Sequence, residues 1–259
     1  MKEGYWAMRK YRCGRIGETV KYWVPGEKPT RSKRKLRSDL KKVAGNEQNT
    51  ERGVARLIHL NWKGGRDILL GLDYSEEGYA KMSKPEEMLD DPEQERDRVW
   101  LLARHQAELF LRRVRRACAA EGIEVRALIF TSDMDGKTGD PVRVHHHIIV
   151  NVEALEICRK KWIMGGVNWE TLWDREDQTD LAVYLCQQVR RIPDAAKYIP
   201  TRNLVRPQPV DRIAINAAEL RVPKDASLLY RSPYRPGQPQ YIRYVLPEKD
   251  PAERRKRNE

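Results

Sequence analysis

Phenylalanine is nearly absent from this chain, two in 259 residues, and its four cysteines (Cys13, Cys118, Cys158, Cys186) never come close to a Cys-x-x-Cys spacing. That pattern excludes a zinc ribbon and a small disulfide-stapled scaffold, and it suits reduced thiols. No run of 18 apolar residues occurs, and the first residues carry no hydrophobic signal core, so no segment reads as a membrane span or a secretory leader. The expectation is a cytoplasmic protein with no membrane partner. A Gly-x-x-x-x-Gly-Lys phosphate loop is missing too, which excludes a strand-separating motor of that type. No internal repeat is present.

What is abundant is positive charge. Fifty Lys and Arg stand against 38 Asp and Glu, a net charge of +12, and charged residues make up 34% of the chain. A balance of this size favours a polyanionic partner, nucleic acid before an anionic membrane. Between Arg31 and Lys42 seven of twelve residues are basic, and Arg31, Lys33, Arg34 and Lys35 are candidate phosphate contacts without sequence preference. The pattern predicts an irregular basic arm over residues 1–45, a catalytic domain over 46–204 and a loosely packed, proline-rich tail over 205–259.

Within the middle region the periodicities alternate. Val54, Leu57 and Ile58 predict a short amphipathic helix, and the apolar run Asp67 to Tyr74 predicts a strand. A loop is expected from Ser75 to Asp90. Asp91 and Pro92 then start the clearest helix, with Val99, Leu102, Ala103, Ala107, Phe110, Val114, Ala117 and Cys118 on one stripe and Gly122 at its end. Val125 to Thr131 reads as a strand, Asp135 to Asp140 as a turn, and Val142 to Val150 as an antiparallel return strand. Helices follow around Leu155 to Trp162 and Leu181 to Gln188. This order predicts an α+β fold, a sheet covered by helices.

The return strand reads Val142-Arg-Val-His-His-His-Ile-Ile-Val150. Successive strand side chains alternate between faces, so His145 and His147 share one face, and Val144, His146, Ile148 and Val150 share the other. Two imidazoles roughly 7 Å apart along a strand form half of a metal site. Asp133 or Asp135, at the end of the neighbouring strand, is a candidate third ligand. Two His and one carboxylate suit Mn²⁺ or Mg²⁺ with positions open for substrate. Tyr184, on the later helix, is the candidate nucleophile. A phenol is mostly protonated at neutral pH, so it needs a nearby cation or a proton acceptor, and a phosphate whose charge is neutralised.

These elements resemble the rolling-circle replication initiators of the HUH endonuclease superfamily, in their phage and plasmid versions. His145-His146-His147 is similar to the family's His-hydrophobe-His element, with His146 in the middle slot. Tyr184-Leu-Cys-Gln187 resembles its Tyr-x-x-Lys helix, and Thr201-Arg-Asn-Leu204 its Ser-Arg-Asn-Leu element. Cys13-Gly14 and the Asp67 to Tyr74 strand complete a likeness that covers most of the chain. The resemblance implies a ferredoxin-like or RRM-like five-stranded antiparallel sheet. It implies that His145 and His147 bind the metal, and that Tyr184 attacks single-stranded origin DNA to leave a 5′-phosphotyrosyl link and a free 3′-hydroxyl. It further implies a host helicase and polymerase as partners, in a bacterial cell or infected host. Two positions depart from the family. The Lys is Gln187 here, with Arg190, Arg191 or Lys197 as substitute cations, and the first motif reads Leu70-Gly-Leu-Asp73 where the family carries Thr. Arg190, Lys197 and Arg202 are expected near DNA.

A histidine-triad nucleotide hydrolase would need a third alternating His at 149, which is Ile149. Conjugative relaxases share the His-x-His chemistry but place their Tyr upstream. A single-Tyr transposase is the closest alternative enzyme. The non-enzymatic alternative is a nucleic-acid-binding protein on the same scaffold, with Trp162, Trp169 and Trp173 as stacking platforms.

Overall fold

The computed structural model describes residues 4–26, 40–190, 192, 195–213 and 218–248. The candidate contacts Arg31, Lys33, Arg34 and Lys35, and the alternative cation Arg191, lie outside the described residues. The architecture is α+β, with two five-stranded antiparallel sheets. The chain divides into two compact units, one of Thr50–Val205 and one of Met1–Asn49 with Arg206–Glu259.

The larger unit carries the histidine strand. Its sheet is built from β3 (Ile68–Leu72), β4 (Ala127–Met134), β5 (Pro141–Val150), β6 (Val167–Thr171) and β7 (Ile199–Pro200), in the order β6-β3-β5-β4-β7. The histidine strand β5 is therefore central, hydrogen-bonded on both sides. That suits a short run of Ile148, Ile149 and Val150, all buried. Every pairing is antiparallel.

Helix α3 (Pro92–Ala120) covers one face of this sheet. Asp91 caps it by accepting from the amides of Glu93 and Gln94 at 2.8 and 3.0 Å, and Pro92 occupies the first turn, where its missing N–H costs nothing. The buried stripe contains Val99, Ala103, Ala107, Phe110, Val114 and Cys118, as the spacing predicts, and adds Trp100 and Leu111. The Trp100 indole donates to the Thr131 carbonyl at 3.0 Å, pinning the helix to β4. Helix α1 (Leu40–Asn61) starts earlier than its periodicity suggests. The expected loop after β3 instead holds α2 (Glu76–Ser83), capped by Ser75, and a 3-10 turn at Pro85–Glu87. Helices α4 (Leu155–Lys161) and α5 (Thr179–Gln187) complete the described helices.

The second unit corrects the expectation of an arm and a tail. Residues β1 (Tyr5–Cys13) and β2 (Ile16–Val24) form a hairpin with a two-residue loop. It joins β8 (Val210–Ile213), β9 (Ser227–Arg231) and β10 (Gln240–Val245) in the order β8-β1-β2-β10-β9. The physical reason is amphipathic length. Lys21 is almost fully buried, lying over the Trp6 and Tyr234 rings and donating to the Ala218 carbonyl. Long basic and aromatic side chains bury their stems while reading as polar in the sequence.

Candidate active site

Cross-strand neighbours share a face, and the register of β5 sorts its histidines. His146 lies opposite Leu72 and Thr131, and His147 opposite Gly71 and Phe130. The His146 face is the one packed on α3. His146 is completely buried, hydrogen-bonded to Tyr74 Oη at 2.9 Å and Thr131 Oγ1 at 3.1 Å, with its ring against Trp162. Burial, and after it the neighbouring imidazoles, lower its pKa to about 3, so it is a neutral structural group.

The opposite face brings together His145, His147 and α5. The two Nε2 atoms are 3.1 Å apart. His145 Nδ1 donates to its local carbonyl, that of Arg143, at 3.1 Å, which orients the ring with Nε2 toward His147. Burial, and after it the His145 imidazole, lower the His147 pKa to about 4 against the raising effect of its bond to Gln188, so this imidazole is neutral at neutral pH and its Nε2 donates to Gln188 Oε1. Gln188 Oε1 lies 3.2 Å from His147 Nε2. Its amide nitrogen donates to the Tyr184 carbonyl one helical turn back, at 3.2 Å, which turns the oxygen toward the histidines. Ser132 Oγ donates to the Gln188 carbonyl at 3.0 Å and ties the end of α5 to β4.

Edges of 3.1 and 3.2 Å between donor atoms match the roughly 3.0 Å edge of an octahedron with bonds of about 2.1 Å. Two imidazoles and an amide oxygen are the donor set of a borderline to hard divalent cation such as Mn²⁺ or Mg²⁺. The residues present fit the implied metal. No third His, Cys, Asp or Glu joins them among the described residues.

Tyr184 sits directly beside this set, its ring 5.8 Å from that of His147 and inclined by 65°. Ala182, Leu185 and Cys186 of the same helix are buried, while Tyr184 is 39% exposed. The helix is thus anchored on one side and presents the phenol on the other. The turn between β4 and β5 approaches closely from above. A Cβ on Gly136 would lie 2.6 Å from the Tyr184 ring and 2.9 Å from its hydroxyl oxygen. Lys137, in the same turn, lines the cavity that Tyr184 and His147 share.

Several expected site residues stand elsewhere. Asp133 is not a ligand: its carboxylate is held by Arg96 of α3 at 2.6 Å and lies near Arg190 at 3.4 Å, among partners from the α3 side of the sheet. A β-bulge follows Ser132, so strict alternation ends there. Arg190 is not available as a substitute cation, since its guanidinium is enclosed by Asp97, Glu93 and Asp133. Gln187 is exposed, and Gln188, which the motif alignment passed over, faces the histidines. Residues three and four apart both neighbour Tyr184 on a helix, so spacing alone does not choose between Gln187 and Gln188; the placement of α5 against β5 does. Lys197 is half-buried and its charge acts on Cys186 of α5. Arg202 is exposed, in a segment where Thr201 exchanges hydrogen bonds with Ala127 and Asn203 donates to the Val125 carbonyl, so Thr201 to Leu204 serves to dock the chain on β4. Trp162 is core, packed on Tyr74 and Phe110. No helix among the described residues is long and apolar enough to cross a membrane. No protein-family model, no curated protein and no solved structure matches this chain.

Proposed function

We propose that the protein is a metal-dependent, single-strand-specific DNA nicking and joining enzyme, a rolling-circle replication initiator on an HUH-type scaffold. The observation that carries this reading is the convergence of His145 Nε2, His147 Nε2 and Gln188 Oε1 next to the Tyr184 ring, on one face of the central strand. A core histidine has both ring nitrogens taken by neighbouring groups, as His146 has by the Tyr74 and Thr131 hydroxyls. Two imidazole Nε2 atoms 3.1 Å apart, with an amide oxygen 3.2 Å from one of them, suit a cation that takes the place of the proton on His147 Nε2 when that proton moves to Nδ1.

In this reading Tyr184 Oη attacks the scissile phosphorus. The P–O3′ bond breaks, the phenol loses its proton, and the departing 3′ oxygen gains one. The products are a 5′-phosphotyrosyl protein and a free 3′-hydroxyl for a polymerase; the reverse attack by a 3′-hydroxyl rejoins the strand. A bound Mn²⁺ or Mg²⁺ would neutralise phosphate charge. Anchoring by α5 restricts the phenol to few orientations, which is the entropic part of the catalysis. Lys137 supplies a cation close to the reacting phosphate, the role that the missing Lys at 187 leaves open. Strand separation falls to a host helicase. The net charge of +12 supports a polyanionic substrate.

The test is covalent capture. The protein is incubated with a random-sequence single-stranded DNA pool and Mn²⁺, then resolved under denaturing conditions. A slow-migrating band that keeps a 3′-end label and vanishes without metal is expected. Retention of DNA under native conditions with no covalent band in any metal would instead make the protein a binding module.

A further inference from the structure

A cavity of about 790 Å³ opens beside the tyrosine, between the β3–β6 edge of the larger unit's sheet and α5. The reaction itself does not need this space, and it is large enough for a nucleotide base with its sugar. Gly71, next to His147, has no side chain to fill it. A Cβ there would meet the Asn168 side-chain oxygen at 2.2 Å and push that amide aside, so glycine leaves room for Asn168 beside the histidines.

We propose that this cavity is a base-reading pocket for one nucleotide flanking the scissile phosphate, and that it selects guanine. The inference rests on the single-strand DNA reading of the adjoining site. Three groups carry it. Trp173 is 64% exposed, and the Arg175 guanidinium lies over its ring at 4.6 Å, fixing the indole and leaving a ring face free for stacking. Arg175 Nε is buried without a hydrogen-bond partner, an unpaid donor at the cavity wall that a phosphate or base oxygen would satisfy. Glu170 pairs with Leu69 in the register, so it shares the face of Gly71 and His147, and its carboxylate is exposed with no ion pair or hydrogen bond among the described residues. An unpartnered carboxylate accepts two parallel donors. Among the bases only guanine offers two adjacent ones, N1–H and N2–H, on its Watson–Crick edge. Adenine and cytosine each place an acceptor beside their amino group, and thymine flanks its single donor with two carbonyls. Trp169 borders the cavity, but it pairs with Leu70, so its indole belongs to the opposite face by register.

The experiment is equilibrium binding of the full chain, in EDTA so that no cleavage occurs, to fluorescent all-thymidine strands in which one central base is kept or changed to dG, dA or dC. The strand with dG should bind roughly tenfold tighter than the all-thymidine strand, the discrimination that one bidentate pair provides. Glu170→Gln should bring the four strands within about twofold of one another. Trp173→Ala should weaken all four roughly tenfold. Both residues are exposed, so these variants keep the fold. A dG strand bound no tighter than thymidine, a preference that survives Glu170→Gln, or unchanged affinities in Trp173→Ala would each overturn the pocket. Equal binding of all strands alongside a covalent adduct removes only the pocket; failure to bind any strand removes the enzyme reading with it.

Discussion

Three consecutive histidines on one strand meet two different fates, and the contrast isolates what makes a site. His146 points into the α3 face, where Tyr74, Thr131 and Trp162 enclose it and every polar atom of its ring is satisfied. His145 and His147 point to the face shared with α5, where their Nε2 atoms confront each other and Gln188. Sequence, backbone and residue type are nearly identical. What differs is the partner layer: an apolar helix on one side, a helix presenting Tyr184 and Gln188 on the other.

The comparison is broken most severely by removing the proposed nucleophile. Tyr184→Phe should abolish the covalent DNA adduct while leaving DNA binding and thermal stability intact, measured by denaturing electrophoresis and calorimetry. Next come the ligands. His145→Ala or His147→Ala should lower Mn²⁺ affinity by at least about 100-fold, and Gln188→Ala by roughly 10- to 100-fold. Gln187→Ala, one residue away and exposed, should change nothing, as titration calorimetry can show. Equal losses in both glutamine variants would contradict the assignment of the third donor.

On the other face the loss should be structural. His146→Ala opens a cavity and orphans the Tyr74 and Thr131 hydroxyls, at an expected cost of about 2–4 kcal/mol in chemical denaturation. The same residue sets a pH dependence. Its imidazole binds a proton near 6.5 when unfolded and only near 3 when folded. Between those values the unfolded state takes up more protons, so stability is full above pH 6.5 and declines as the pH falls through that window. The stretch from 6.5 down to 4.5 lies above the ordinary carboxylate range and isolates the histidine contribution. In metal-free protein, His146→Gln should reduce that slope and leave the part set by His147, whose imidazole is also lowered, to about 4; an unchanged slope would show that other groups set it. The mildest perturbation is Gly136→Ala. Its Cβ would displace the Tyr184 ring, and a several-fold slower adduct formation with little change in melting temperature is expected.

Much of the larger unit was legible from the residues. The cap at Asp91 and Pro92, the apolar stripe of α3 and the face alternation of β5 follow from local rules, and each stands in the structure where those rules put it. Tyr184 lies beside His147, the two rings 5.8 Å apart, and His145 and His147 share a face as strand alternation requires. The third donor was not legible, because setting Asp133 aside required knowing that a bulge follows Ser132 and that Arg96 of α3, with Arg190, holds its carboxylate. Gln188 carries no distinctive chemistry until α5 is placed. Strands β1 and β2 were hidden because Lys21, Glu18 and Thr19 are buried yet read as polar, and their partner β10 lies more than two hundred residues away along the chain. Strand β6 is short and almost wholly exposed, so it has no apolar alternation to detect.

Mass spectrometry of the protease-digested protein–DNA adduct tests the account most directly. The account predicts a single modified peptide with a nucleotide 5′-phosphate esterified to the Tyr184 oxygen, formed only when Mn²⁺ or Mg²⁺ is supplied. Attachment at any other side chain, a 3′-phosphate linkage, or an adduct of equal yield in His145→Ala and His147→Ala protein would contradict it.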